Sequence, residues 1–305
     1  MRFDGQTAIV TGAARGLGRA YALALAERGA KVALIDNGCD ADGQGESDEA
    51  LQEVASLIHH LGGEAMTFVV DVADEMDIDG TVKFVVEQWG RLDIVVCSAG
   101  YQMHKSLIDT SHSEWQRMFS VEVDSVFHLA KRAWPLFQAQ GGGRIIVATS
   151  ATGFYGEAGH VPHSSAKMAL YGMVNSLARE GEADNIRVNS LCPVANTRLT
   201  QEHYKPELKQ IAQPQRVTPG LVLLASDSAP NGKHLLVAGG QFSLAQVYES
   251  KGVLLDEEEA NPETLLRNWP SLEQSAPLKP YRSVTDYLVQ LTQRLKKASK
   301  PLLFG

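Results

Sequence analysis

The chain has 305 residues, 44% hydrophobic and 21% charged, with 27 glycines and 12 prolines, the composition of an ordinary folded enzyme and not of a disordered, collagenous or coiled-coil chain. A net charge of -8 offers no concentrated basic footprint for a polyanion, so nucleic acid is not an expected partner. No apolar run reaches the roughly 20 residues that span a bilayer. The N-terminal segment lacks a signal-peptide pattern, and the three cysteines, Cys39, Cys97 and Cys192, lack metal-ligand spacing. A cytoplasmic protein without membrane or metal is expected.

In chain order, short apolar runs at 7–10, 31–35, 65–70, 94–96, 144–148, 187–191 and 234–237 read as strands buried on both faces. The segments 20–28, 47–61, 76–89, 113–137 and 164–182 are long enough to be the crossover helices between them. Repeated β-α units predict an α/β fold, a Rossmann-type doubly wound, seven-stranded parallel sheet. It fills a dinucleotide-binding domain over residues 1–242. Residues 243–305 read as a C-terminal extension packed on the core or on a partner subunit. In it, Val284, Tyr287, Leu288, Leu291 and Leu295 recur at helical steps.

The first strand runs into Thr11-Gly12-Ala13-Ala14-Arg15-Gly16-Leu17-Gly18 and then an Ala-rich helix. Glycines here let the backbone turn sharply against a pyrophosphate, toward which the helix directs its N-terminal N–H groups. The second strand ends in Asp36, spaced to accept from an adenosine ribose hydroxyl and to repel a 2'-phosphate. NAD is therefore expected in preference to NADP, with Arg15 as the counter-signal, since a guanidinium could pair with that phosphate. Asp71 and Val72, after the third strand, are placed to touch the adenine, with capping of the next helix as the alternative for Asp71.

These residues resemble the short-chain dehydrogenase/reductase family over nearly all of residues 2–242. Thr11-Gly12-xxx-Gly16-x-Gly18 is similar to its cofactor signature, Ala99-Gly100 to the end of its Asn-Asn-Ala-Gly motif, and Gly143-Arg144-Ile145-Ile146 to the strand leading to its catalytic serine. Arg2-Phe3-Asp4-Gly5, Gly16 through Leu23, Ser164 through Lys167 and the tail are similar to the (3R)-hydroxyacyl-CoA dehydrogenase part of peroxisomal multifunctional enzyme type 2 and its bacterial relatives. The resemblance implies cofactor contacts from Ala99, Gly100, Lys167, Pro193 and Thr197, and an assembly, a homodimer or homotetramer, through helices 113–137 and 164–182. Met168, Leu170, Met173 and Val174 suit that interface.

The active-site pattern departs from the family's. Ser150 and Lys167 keep their places, but the tyrosine position, 13 residues after the serine, is His163. The asparagine position is Glu122, and the Asn-Asn pair is Cys97-Ser98. Ser150, His163, Lys167 and Glu122 are the candidate catalytic residues. Imidazole is a neutral base near pH 7, and positive neighbours keep it so, which suits alcohol oxidation more than ketone reduction. Ser150 would orient the substrate oxygen, and Lys167 would bind the nicotinamide ribose. Glu122 could salt-bridge Lys167, hold a water or orient His163, and Tyr155 or His160 could supply another proton carrier. The resulting expectation is an NAD-dependent oxidoreductase on a small-molecule secondary alcohol or ketone, such as a 3-hydroxyacyl thioester or a bulky polycyclic alcohol. The alternatives are a cofactor-binding member without hydride transfer, or a non-redox lyase, isomerase or cyclase using His163 and Glu122.

Overall fold

A computed structural model describes residues 1–40, 45–202 and 204–273. The seven apolar runs form β1 (Thr7–Thr11), β2 (Lys31–Ile35), β3 (Ala65–Phe68), β4 (Ile94–Cys97), β5 (Gly143–Ala148), β6 (Ile186–Val194) and β7 (His234–Ala238). Their order is β3-β2-β1-β4-β5-β6-β7, and each neighbouring pair is parallel. Strand order reverses between β1 and β4, and the crevice at the carboxyl ends of these strands is where such sheets bind ligands.

Among the described residues the sheet holds eight strands, one more than expected. β8 (Gln241–Ala245) follows β7 through the two residues Gly239-Gly240 and lies at the sheet edge. So short a connection makes a hairpin. Four of its five residues are exposed, so no apolar run announces it.

The helices among the described residues are α1 (Gly16–Ala26), α2 (Glu49–His60), α3 (Glu75–Trp89), α4 (His112–Phe119), α5 (Ser125–Gln140), α6 (Ala151–Tyr155), α7 (Val161–Glu180), α8 (Pro206–Ile211), α9 (Thr218–Ala225) and α10 (Pro262–Leu272). The expected single helix over 113–137 is α4 and α5 joined by a π-helical turn, Ser120–Asp124. Alternate residues of each strand enter different cores. Ala8, Val10, Val32, Leu34, Ile94 and Val96 pack with α1, α2 and α9. Ile9, Ala33, Ile35, Val95, Cys97, Ile145 and Val147 pack with α3, α5 and α7. This period-two division explains why the strands are apolar throughout. Leu170 and Val174 lie in the second core, so of the residues expected at a subunit interface only Met168 and Met173 keep exposed surface.

Helix α3 is capped by Asp74, whose carboxylate accepts from the N–H groups of Met76 and Asp77, and not by Asp71. Asp71 accepts from Ala73 N–H and pairs with Arg117 on α4 at 2.6 Å. One buried polar chain links the end of β5 to β6 and β7. The Thr149 hydroxyl donates to Ser190 Oγ at 3.2 Å, Ser190 Oγ lies 2.7 Å from Nδ1 of His234, and Nε2 of His234 lies 3.1 Å from Asn175 Oδ1. Tyr171 stacks on the His234 ring. Burial and the neighbouring Lys233 push His234 down to about 4.

Compact units are Met1–Leu244 and Ala245–Gly305. Among the described residues of the second, α10 is capped by Asn261, which accepts from Thr264 N–H at 2.9 Å. The amphipathic stretch 283–297 lies outside the described residues.

Candidate active site

The glycine-rich turn joins β1 to α1. Gly12 has φ +66, and a Cβ there would meet the Ala99 backbone at 2.9 Å. A Cβ at Gly18 would overlap the carbonyl of Gly12, so only glycine lets α1 sit against the turn. Helix α1 starts without a side-chain cap and without an acidic residue in its first turn. Its N-terminal N–H groups are thus left for an anion. The Asp36 carboxylate accepts from Ala14 N–H at 3.0 Å and Gly38 N–H at 2.8 Å, which fixes it beside the turn. Thr11 Oγ1 accepts from the N–H groups of Ser98 and Ala99, both at 3.0 Å, tying the end of β4 to β1. Thr197 lies over Gly16, where an added Cβ would meet its methyl at 3.2 Å. Pro193 lies in β6 opposite Val237 of β7. The turn, the uncapped helix and the carboxylate together fit a dinucleotide.

Sequence reasoning missed Arg198. Its guanidinium donates to the Cys39 carbonyl at 2.9 Å, and Arg15 donates to the same oxygen at 3.2 Å. Neither arginine has a carboxylate partner among the described residues. The available signal was a basic residue next to Thr197.

Three of the four candidate catalytic side chains meet at the carboxyl end of the sheet. Glu122, on the π-helical turn, is fully buried; its Oε2 lies 2.5 Å from Lys167 Nζ, and its Oε1 accepts from Tyr101 N–H at 3.3 Å. Room for this carboxylate depends on Gly100, where a Cβ would come within 2.6 Å of Oε1. Burial pushes the Glu122 carboxyl up, and the Lys167 ammonium pulls it back. Lys167 also donates to the Ala148 carbonyl at 2.8 Å, at the end of β5.

His163 stands one helical turn before Lys167 on α7, with Nδ1 3.7 Å from Glu122 Oε1. It is 4% exposed, and neither ring nitrogen makes a hydrogen bond of normal geometry, although the Tyr101 backbone lies where it favours the protonated ring. Burial first, then Lys167 and His160, push its value down to about 3, so the ring is neutral across the physiological range. A buried imidazole lacking a well-formed hydrogen bond is costly unless a ligand completes it.

Ser150 follows the same strand end but caps α6, accepting from Thr152 N–H at 3.3 Å and bonding Thr152 Oγ1 at 2.9 Å. It makes no hydrogen bond to His163. Tyr155 is 75% exposed, whereas His160 is buried and packs on His104 with ring centroids 4.9 Å apart. Lys105 N–H donates to the Gly159 carbonyl at 2.8 Å, so the loops after β4 and α6 close together beside the site. Among the described residues no cluster of histidine, cysteine and carboxylate could hold a metal, and no helix is long and apolar enough to cross a membrane.

A family model described as short chain dehydrogenase matches residues 6–207. The peroxisomal multifunctional enzyme type 2 of Drosophila melanogaster is 35% identical over 266 residues, 87% of this chain and 44% of that protein. The peroxisomal hydratase-dehydrogenase-epimerase of Neurospora crassa is 31% identical over 299 residues, 97% of this chain and 33% of that protein. The chain thus spans less than half the length of these two relatives. Among solved structures, the full-length Drosophila melanogaster enzyme superposes with a TM-score of 0.80 at 28% identity, covering 97% of this chain and 50% of that one. A short chain dehydrogenase from Mycobacterium avium gives 0.78 at 30% identity, covering 92% and 99%.

Proposed function

The chain belongs to the short-chain dehydrogenase family, and from that premise we propose that it oxidises a secondary alcohol to a ketone with NAD as the hydride acceptor and His163 as the base. The observation that carries this reading is the buried imidazole: neutral, with no hydrogen bond of normal geometry at either nitrogen, beside the lysine that the family pattern places at the nicotinamide ribose.

The bound dinucleotide would supply a two-electron acceptor for the hydrogen on the carbinol carbon. His163 takes the hydroxyl proton, so the O–H bond breaks, an N–H bond forms and the carbonyl develops on the substrate oxygen. Ser150, whose hydroxyl already shares a hydrogen bond with Thr152, orients that oxygen. Lys167 has one donor beyond Glu122 and Ala148 for the ribose. Gly12, Gly16, Leu17 and Gly18 border the pyrophosphate, Asp71 and Val72 the adenine, and Ala99, Gly100, Pro193 and Thr197 the nicotinamide half. NAD is the form taken because the charge of the Asp36 carboxylate, held beside the glycine-rich turn, would repel a 2'-phosphate. The multifunctional relatives make a 3-hydroxyacyl thioester the first substrate class to try. A cytoplasmic homodimer or homotetramer, joined through the face bearing Phe127, Trp134 and Met173, completes the proposal.

The test is NADH absorbance when purified protein meets NAD and a panel of 3-hydroxyacyl thioesters and polycyclic secondary alcohols. Turnover that His163→Ala abolishes supports the reading; dinucleotide binding without absorbance change for any substrate refutes it. One observation favours a second reading, a cofactor-binding protein without hydride transfer: Glu122 already neutralises the charge of Lys167. Activity that arises only in His163→Tyr would establish it.

A further inference from the structure

The two side chains that depart most from the family pattern lie next to each other. Glu122 Oε1 lies 3.7 Å from Nδ1 of His163, and both side chains are at least nine-tenths buried. Charged and titratable groups facing the ring are Glu122, Lys167 and His160. A neutral imidazole carries one N–H and one lone pair. The carboxylate 3.7 Å from Nδ1, although beyond hydrogen-bond length, favours the hydrogen on Nδ1, which leaves Nε2 to present the lone pair. Nε2 makes no hydrogen bond of normal geometry, and the Tyr101 backbone is the competing acceptor for a ring N–H.

Charge points the same way. When the ring takes a proton it becomes an imidazolium beside the Lys167 ammonium, and like charges in a dry site oppose that state. The carboxylate between them offsets the repulsion. A neutral amide at position 122 would not. The π-helical turn brings the carboxylate there, and the absence of a side chain at Gly100 leaves the space.

We propose that Glu122 and His163 work as one unit: Glu122 is a positioning residue that holds the ring in its Nδ1–H tautomer, turns Nε2 toward the substrate hydroxyl as the base, and stabilises the imidazolium against Lys167. The proton passes from the hydroxyl oxygen to Nε2 and leaves to water once product departs, so the unit needs no reactant beyond those of the oxidation. The division of roles parallels that of a carboxylate orienting a histidine in a hydrolase triad. It rests on the oxidation proposed above only for its kinetic consequence.

Nitrogen-15 NMR of histidine-labelled protein at pH 7.5, with His163 assigned through His163→Gln, reads the tautomer without any substrate. The unaltered protein should show Nδ1–H, and Glu122→Leu, which removes the acceptor, should move the signal to Nε2–H. Glu122→Gln keeps an acceptor and removes the charge. It should retain Nδ1–H and bind NAD unchanged, yet lower kcat about 100-fold with little change in KM. An Nε2–H signal in the unaltered protein overturns the proposal, as does a signal indifferent to Glu122→Leu or a kcat for Glu122→Gln within threefold of the original. Should no alcohol be oxidised at all, the reading of the reaction fails while the tautomer still decides the pairing.

Discussion

Lowering the pH from 7.5 to 5.0 should weaken the fold through two imidazoles. A free histidine titrates near 6.5, whereas burial holds His163 down to about 3 and His234 down to about 4. At pH 5 both stay neutral in the folded chain and both take a proton in the unfolded one. Because the folded values are depressed, the stability tied to each ring is complete above about 6.5 and is lost as pH falls toward its folded value. Each pH unit below 6.5 removes about 1.4 kcal/mol per ring, so at pH 5 the loss is about 2 kcal/mol for each. The sum, about 4 kcal/mol, is a large part of the 5–15 kcal/mol typical of a domain. Urea unfolding followed by tryptophan fluorescence measures it at both pH values. His234→Gln keeps an amide for Ser190 and Asn175 and removes one titrating ring, so it should lose about 2 kcal/mol less than the original chain over the same interval. Glu122, whose raised value acts in the opposite sense, is common to both proteins and cancels in that difference. Equal losses in the two proteins would refute the reasoning.

Gly18→Ala places a Cβ on the Gly12 carbonyl and should weaken dinucleotide affinity at least about tenfold, read by NADH fluorescence titration with circular dichroism unchanged. Asp36→Ala removes the carboxylate while Arg15 and Arg198 remain, so the ratio of NAD to NADP affinity should fall by about tenfold, equivalent to 1.4 kcal/mol. Ser111→Ala breaks the capping box of α4, in which Ser111 Oγ and Glu114 bond each other's backbone N–H, and should cost about 1 kcal/mol in thermal or urea unfolding. Tyr155→Phe should leave the oxidation rate unchanged because that hydroxyl is solvent-exposed; a large drop would make Tyr155 the proton carrier in place of His163.

The buried sheet was legible because each of β1, β2 and β4 is apolar on both faces, and no surface helix shares that pattern. β8 was not, since an exposed edge strand such as Gln241–Ala245 carries little hydrophobic signal. Helix starts depend on one side chain reaching a particular N–H, and spacing pointed to Asp71 where Asp74 is the cap. The glycine turn and Asp36 could be located because their spacing is local to one β-α-β unit. Glu122, His163 and Lys167 come from two helices, and their meeting could be expected only through the family resemblance. Arg198 reaches the loop after β2 across 159 positions of sequence, a distance no local pattern encodes.

The π-helical turn at Ser120–Asp124 is a local excess of backbone between α4 and α5. A π turn takes up its extra residue at a smaller rotation per residue, so the flanking helices keep their phase. Deleting one residue from this turn would let α4 and α5 fuse into a regular helix and would remove the widened backbone that seats Glu122 beside Lys167, without any change in residue type at either position. A length change of one codon is thus a route by which a protein of this kind could gain or lose its buried carboxylate, and an alignment that compares residue identities alone would pass over it.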